Sequence, residues 1–172
     1  MVILEAASKG SDPSFASSMV APAAVIAAAA LTALAAVVVY YFTQRQAARE
    51  RKRRTCAEAL ADALAWMELP YRVTRRASDS PDVLSELTSH IHSLQERLLF
   101  HESWLQIELP EAGAEYRALV AAVRDAARQA MRAAWDGPAA AAPASMNIGD
   151  LGLASIDLQV VAFVEKVRGT IS

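Results

Sequence analysis

The sequence predicts an all-α protein: one N-terminal transmembrane helix running on into a cytoplasmic helix, then an antiparallel helical hairpin and a short C-terminal amphipathic helix. Three observations predict it. Val20 to Phe42 is a run of 23 residues without a charge. A dense basic cluster follows that run. Further on, apolar residues recur at steps of three and four from Leu84 to Leu105 and again from Tyr116 to Ala134, the spacing of a buried helical stripe.

The apolar run reads as a membrane span. At 1.5 Å per residue it is about 34 Å long, enough for a hydrocarbon core of about 30 Å with modest tilt. Thr32 is its one clearly polar side chain, and Tyr40, Tyr41 and Phe42 close it with rings suited to headgroup level. Pro22 is expected in the first turn, where a missing N–H costs little. Residues 1–19 read as a disordered extracytoplasmic leader. Pairs such as Ala23/Ala27, Ala24/Ala28 and Ala29/Ala33 provide small-residue faces through which a homo-oligomer would pack in lipid.

Charge sets the orientation. Arg45, Arg49, Arg51, Lys52, Arg53 and Arg54 follow the run against Glu50 alone, whereas Lys9 is the only basic residue before it. The positive-inside rule then places the N-terminus outside and the remainder in the cytoplasm. A cleaved signal peptide would carry its basic residues ahead of the apolar run. The same collar is where anionic lipid headgroups would be contacted, which makes the lipid bilayer the expected partner and nucleic acid an unlikely one. Across residues 43–76 there are nine Lys/Arg against four Asp/Glu, and across 77–172 seven against thirteen, so an acidic remainder follows a basic collar.

Residues 43–136 read as the cytoplasmic helical domain. Its first helix carries Cys56, Leu60, Ala63, Leu64 and Met67 on one stripe and is expected to end at Pro70, which disfavours helix in the residue before it. Tyr71 to Arg76 then reads as a polar connector or a short strand. Ser80-Pro81-Asp82 is a helix start: a cap acceptor, a proline at the first position and an acid in the first turn. Leu84, Leu87, Ile91, Leu94, Leu98 and Leu105 form a coiled-coil-like hairpin seam, interrupted by His101. Pro110 closes that helix. The next carries Tyr116, Leu119, Val120, Val123, Ala127, Ala130, Met131 and Ala134, and Asp136-Gly137-Pro138 stops it. So short a link at Leu109-Pro110-Glu111 favours an antiparallel hairpin.

In that hairpin Asp79, Asp82 and Glu86 are expected to meet Arg124, Arg128 and Arg132. The acidic tip, with Glu102, Glu108, Glu111 and Glu115, is expected to face the basic collar. Residues 137–152 read as a flexible linker built on GPAAAAPAS. Residues 153–172 read as a final helix carrying Ile156, Val160, Val161, Phe163, Val164 and Val167, capped by Ser155 or Asp157 and docking on the hairpin.

Chemical motifs are sparse. His90, His92, His101 and the acids around 86–102 are the one set that an enzyme or metal-binding helical bundle would use. The Glu-x-x-His spacing of di-iron bundles is absent, and His101-Glu102 lacks the second histidine of HExxH, since position 105 is Leu. There is no G-x-S-x-G elbow and no Gly-rich phosphate loop. No catalytic residue, cofactor or metal site is expected. The single cysteine, Cys56, excludes an internal disulfide.

The stretch LPYRVTRRASDSPDVLSELTSHIHSLQERLLFHESWLQIELPEAGAEYRALV, placed after an apolar span and a basic collar, resembles a group of uncharacterised single-pass proteins of actinobacteria and their phages or prophages over residues 20–135. The resemblance implies a bacterial inner-membrane setting and transfers no functional residue. The leading expectation is a membrane-anchored protein-interaction module, possessing an unknown protein partner. The alternatives are the helical-bundle enzyme or metal protein named above, and a holin-like membrane-permeabilising protein, against which the large polar domain counts.

Overall fold

In the computed structural model, residues 14–140 and 155–171 are described, and helix is their one regular structure: α1 (Ser14–Thr74), α2 (Pro81–Glu108), α3 (Pro110–Asp136) and α4 (Asp157–Ile171). It divides into two units between Ala48 and Arg49.

The first unit holds the N-terminal part of α1. Helix already begins at Ser14, so Pro22 lies in its interior rather than in its first turn, and residues 14–19 are helical rather than an irregular leader. The expected leader's first thirteen residues lie outside the described ones. Apolar side chains here stand in the open: Val25, Ile26, Leu31, Leu34, Val37, Val39 and Tyr40 are each more than 60% exposed. Among the described residues one helical segment, Ala28–Thr74, is long and apolar enough to cross a membrane, and none of its apolar window is buried. Thr32 and Thr43 hide their hydroxyls by donating to the carbonyls of Ala28 and Val39, which satisfies a polar group without any partner off the helix.

The second unit is a bundle. Cys56, Ala59, Ala63, Leu69 and Val73 form the buried face of α1 there. Cys56 and Ala63 are buried as expected, whereas Leu64, expected on that face, is 42% exposed and Ala59 is buried there. Small residues bring the neighbouring helices close to the α1 backbone, close enough for the Tyr116 hydroxyl of α3 to donate to the Ala59 carbonyl at 3.1 Å. The expected stop at Pro70 does not occur. Pro70 is buried, α1 continues through it for one more turn to Thr74, and residues 71–74 are helix rather than connector or strand. Proline removes one N–H from the ladder, and Thr74 donates to the Pro70 carbonyl at 2.7 Å. Burial of Leu69, Pro70 and Val73 against the bundle outweighs the local preference, because each fully buried large apolar side chain is worth about 1.5–3 kcal/mol.

Cross-helix contacts give the register. On α1 and α2, Lys52 meets Glu108, Asp62 meets Arg97 and His101, and Arg72 meets His90, so the two run antiparallel. On α1 and α3, Ala59 meets Tyr116, Trp66 lies under Arg124, and Arg76 meets Ala134, so these run parallel. The one-residue link at Leu109 turns α2 into α3, with Pro110 at the first helical position. A Cβ on Gly113 would lie 2.9 Å from the Gln106 backbone nitrogen, so glycine is what lets α3 approach α2 at the tip.

Hairpin burial is graded. Leu94, Leu98, His101 and Leu105 are buried, whereas Leu84, Leu87 and Ile91 are half-buried. Ser80 sits at the start of α2 with extended backbone, but its hydroxyl accepts from Ser78 and does not cap a helical N–H; the Ser80 carbonyl accepts from Leu84 instead. Gly137 follows Asp136 at the end of α3 as expected. The start of the expected linker is tied down: Ala140 is buried and its N–H donates to the Arg76 carbonyl at 2.9 Å, while 141–152 lie outside the described residues. Helix α4 docks as expected, through Phe163 on Tyr116 (ring centroids 5.5 Å apart) and Lys166 on Glu111 at 2.8 Å.

Candidate functional site

Three groups of residues in the second unit carry chemistry. At mid-bundle, Asp62 projects from the small-residue face of α1 toward α2. Arg97 Nε donates to both its oxygens at 3.1 Å, and His101 Nε2 lies 3.2 Å from Oδ2. The other ring nitrogen, His101 Nδ1, is buried with no hydrogen-bond partner. The Phe100 ring packs edge-on against the imidazole, centroids 5.4 Å apart. Burial pushes the Tyr116 hydroxyl above its ordinary value, and the negative charges of Asp62 and Glu102 push the same way, so it serves as a neutral donor.

At the far end, Arg76 is buried and works as a clamp. It pairs with Asp79 at 2.6 Å, donates to the carbonyls of Val73 at 3.0 Å and Ala134 at 2.7 Å, reaches the Gly137 carbonyl, and lies 5.9 Å from the Trp135 ring centroid. One guanidinium thereby satisfies the orphan carbonyls at the C-terminal ends of both α1 and α3, where a cation also suits the helix dipoles. Nothing in the run Tyr71 to Arg76 marks this residue above its arginine neighbours; the signal is the α1–α3 register, which local spacing does not contain.

The third group is the collar. In the first unit Arg45 lies 5.4 Å from the Tyr41 ring centroid. In the second, Lys52 pairs with Glu108 at 3.1 Å and Arg54 with Glu58 at 2.8 Å, which raises the Arg54 pKa, while Arg49, Arg51 and Arg53 are exposed. The expected meeting of the acidic tip with the collar is thus present at one pair. Two of the other tip acids pair elsewhere: Glu102 with Arg117 at 2.7 Å and Glu111 with Lys166. The Lys166 ammonium holds the Glu111 carboxyl below the usual glutamate range, and the carboxylate in turn raises the lysine.

The expected pairing of Asp79, Asp82 and Glu86 with Arg124, Arg128 and Arg132 is not formed. Asp79 turns back to Arg76, Arg128 pairs with Asp125 on its own helix, and Arg124 lies 5.7 Å from the Trp66 ring centroid. Local partners at three residues' spacing need no inter-helix reach, and exposed long-range pairs are too weak, about 0–1 kcal/mol, to displace them.

The histidines lie in three different settings. His90 is half-buried and 3.2 Å from Arg72, His92 is exposed, and His101 pairs with Asp62. Among the described residues no three His, Cys, Asp or Glu side chains converge as metal ligands would. Cys56 is buried beside a narrow cavity of about 360 Å³ between α1 and α4, and burial pushes its thiol up to about 11 although Lys52 pulls the other way. At neutral pH it is a thiol, not a thiolate nucleophile.

Set beside protein-family models, curated proteins and solved structures, the chain matches none.

Proposed function

We propose that the chain is a single-pass protein of a bacterial cytoplasmic membrane, N-terminus outside, whose cytoplasmic bundle of residues 49–171 is a non-enzymatic module for binding a protein partner. The observation that carries this reading is the row of exposed large apolar side chains from Val25 to Phe42, followed at once by six basic residues. So large an apolar surface is stable in lipid and costly in water. The basic excess after it marks the retained side.

The bundle side of the reading rests on how its polar groups are used. Asp62, His101 and Arg76 are committed to holding helices together. The collar arginines suit anionic headgroups, each worth about 1 kcal/mol near such a surface. In the setting implied by the resemblance, an actinobacterial or phage-borne accessory protein, a tethered interaction module is the economical role.

A reporter active only in the cytoplasm, fused after Ser172, should be active, and a periplasm-only reporter should stay silent. The opposite pattern overturns the orientation. The collar is tested with residues 43–172 and vesicles of rising anionic-lipid content: binding should grow with anionic lipid and fade as the Debye length falls from about 10 Å at 0.1 M salt to about 3 Å at 1 M. Absence of binding at low salt leaves the arginines a topogenic role alone.

A further inference from the structure

A groove of about 600 Å³ runs between α2 and α3, apolar along one part of its lining and basic along another. Leu99 of α2, Met131 of α3 and Trp66 of α1 supply the apolar part. Arg124, Arg128 and Arg132 of α3 supply the basic part, and no acid is among the lining residues. These arginines follow one another at four-residue steps, so they stand about 6 Å apart along the helix.

Two of the three are partly engaged. Arg124 is half-buried and lies over Trp66, 5.7 Å from the ring centroid, which steadies its guanidinium without neutralising it. Arg128 pairs with Asp125 on its own helix, and both side chains are more than 60% exposed, a setting in which water already weakens the pair. Arg132 is exposed and meets no carboxylate among the described residues. Three arginines against one aspartate leave two positive charges in excess. Leu99 stands beside them 56% exposed.

On the reading of the bundle as a partner-binding module, we infer that this groove binds an acidic amphipathic helix of the partner protein. Its carboxylates lie one turn apart along Arg128 and Arg132, and an apolar residue beside them rests on Leu99 and Met131. A helix laid in a groove draws affinity from such apolar anchors, and charge selects the partner and its register. Carboxylates at four-residue steps repeat at the spacing of the arginines, and arginine's planar fork matches each of them. A nucleic-acid strand would need a bare aromatic face on which to stack a base, and Arg124 already lies over that of Trp66.

The full chain, in nanodiscs of zwitterionic phosphatidylcholine, is titrated against a fluorescent helical peptide carrying glutamates at four-residue steps with leucines beside them. Binding is read by anisotropy. The peptide should bind, and its lysine-for-glutamate twin should not. Arg128→Glu with Arg132→Glu should weaken binding about tenfold while leaving the thermal transition by circular dichroism unchanged. Arg49→Glu with Arg53→Glu, the same charge change on the collar, should leave binding as it was. Leu99→Gln, which removes the apolar anchor, should weaken it.

No binding by the peptide, equal losses from the groove and collar reversals, or equal binding by the lysine twin would overturn the inference. So would tighter binding by oligothymidine, which would mark a nucleic-acid surface. Formaldehyde cross-linking of the full chain in its native membranes separates the groove from the wider reading. Protein adducts that persist after Arg128→Glu with Arg132→Glu would overturn the groove and leave the interaction module standing. A native chain that forms no protein adduct would remove the module and the groove with it.

Discussion

Helix α1 holds two apolar stretches that obey opposite rules. From Val25 to Phe42 the large apolar side chains are exposed on all sides and alanine fills the gaps. From Cys56 to Val73 the buried apolar residues share one face, and Cys56, Ala59 and Ala63 on it are packed in one core with Leu98, Leu105, Tyr116 and Phe163 from three other helices. An amphipathic stripe is made for a protein neighbour, whereas an all-round apolar surface is made for a solvent that is itself apolar. The polar groups agree. In the first stretch the threonines satisfy themselves on their own helix, and in the second Asp62 reaches across to Arg97 and His101.

The sharpest way to break this contrast is to place the same carboxylate in both stretches. Leu94→Asp buries an unpaired acid at a site with no exposure, and the isolated bundle, residues 43–172, should lose its cooperative thermal transition by circular dichroism, since several kcal/mol is most of a small domain's stability. Leu34→Asp should leave that transition untouched in the bundle and instead cost insertion, about 2.5–3.5 kcal/mol for an acid at the centre of a span. A bundle that melts alike with and without Leu94→Asp would show that α2 is not packed as described.

Arg76→Ala ranks next. It leaves Asp79 to solvent and the carbonyls of Val73, Ala134 and Gly137 without their donor, at about 1–3 kcal/mol for each buried acceptor in denaturant unfolding. Arg76→Lys should recover little of that, because one ammonium cannot reach two helix ends. Asp62→Ala, which removes an acceptor shared by Arg97 and His101, should cost about 1–3 kcal/mol by the same measurement.

The smallest expected effect is at α4. Glu111 is held below its ordinary range by Lys166, so this pair's contribution is present above the ordinary glutamate value of about 4.3 and is lost as pH falls through the lowered value. Lys166 is raised by Glu111, so the contribution lasts until pH climbs past about 10.4 and through the raised value. Amide hydrogen exchange of α4 should therefore show pair-dependent protection that is flat between those limits and lost in acid, and Glu111→Gln should remove that acid-sensitive part.

What was legible in the sequence was what local spacing encodes. Ser80-Pro81, Pro110 and Asp136-Gly137 marked helix boundaries because each acts on its own turn. The buried half of the seam, Leu94 to Leu105, and the α3 stripe from Tyr116 to Ala134 followed from periodicity. Pro70 misled because its local penalty is outweighed by burial that depends on helices distant in sequence. Asp62 and Arg76 were invisible for the same reason: their partners lie 35 and 58 residues away, and only the register of α1 against α2 and α3 brings them together. His101 on an otherwise apolar seam was the one sign that some acid had to face it.

The account stands on the difference between the two stretches of α1, and alkaline extraction of membranes tests that most directly. The full chain should remain in the membrane pellet after carbonate treatment, while a chain lacking residues 20–42 should be recovered in the supernatant and melt as residues 43–172 do. Recovery of the intact full chain in the supernatant, without detergent, would contradict it.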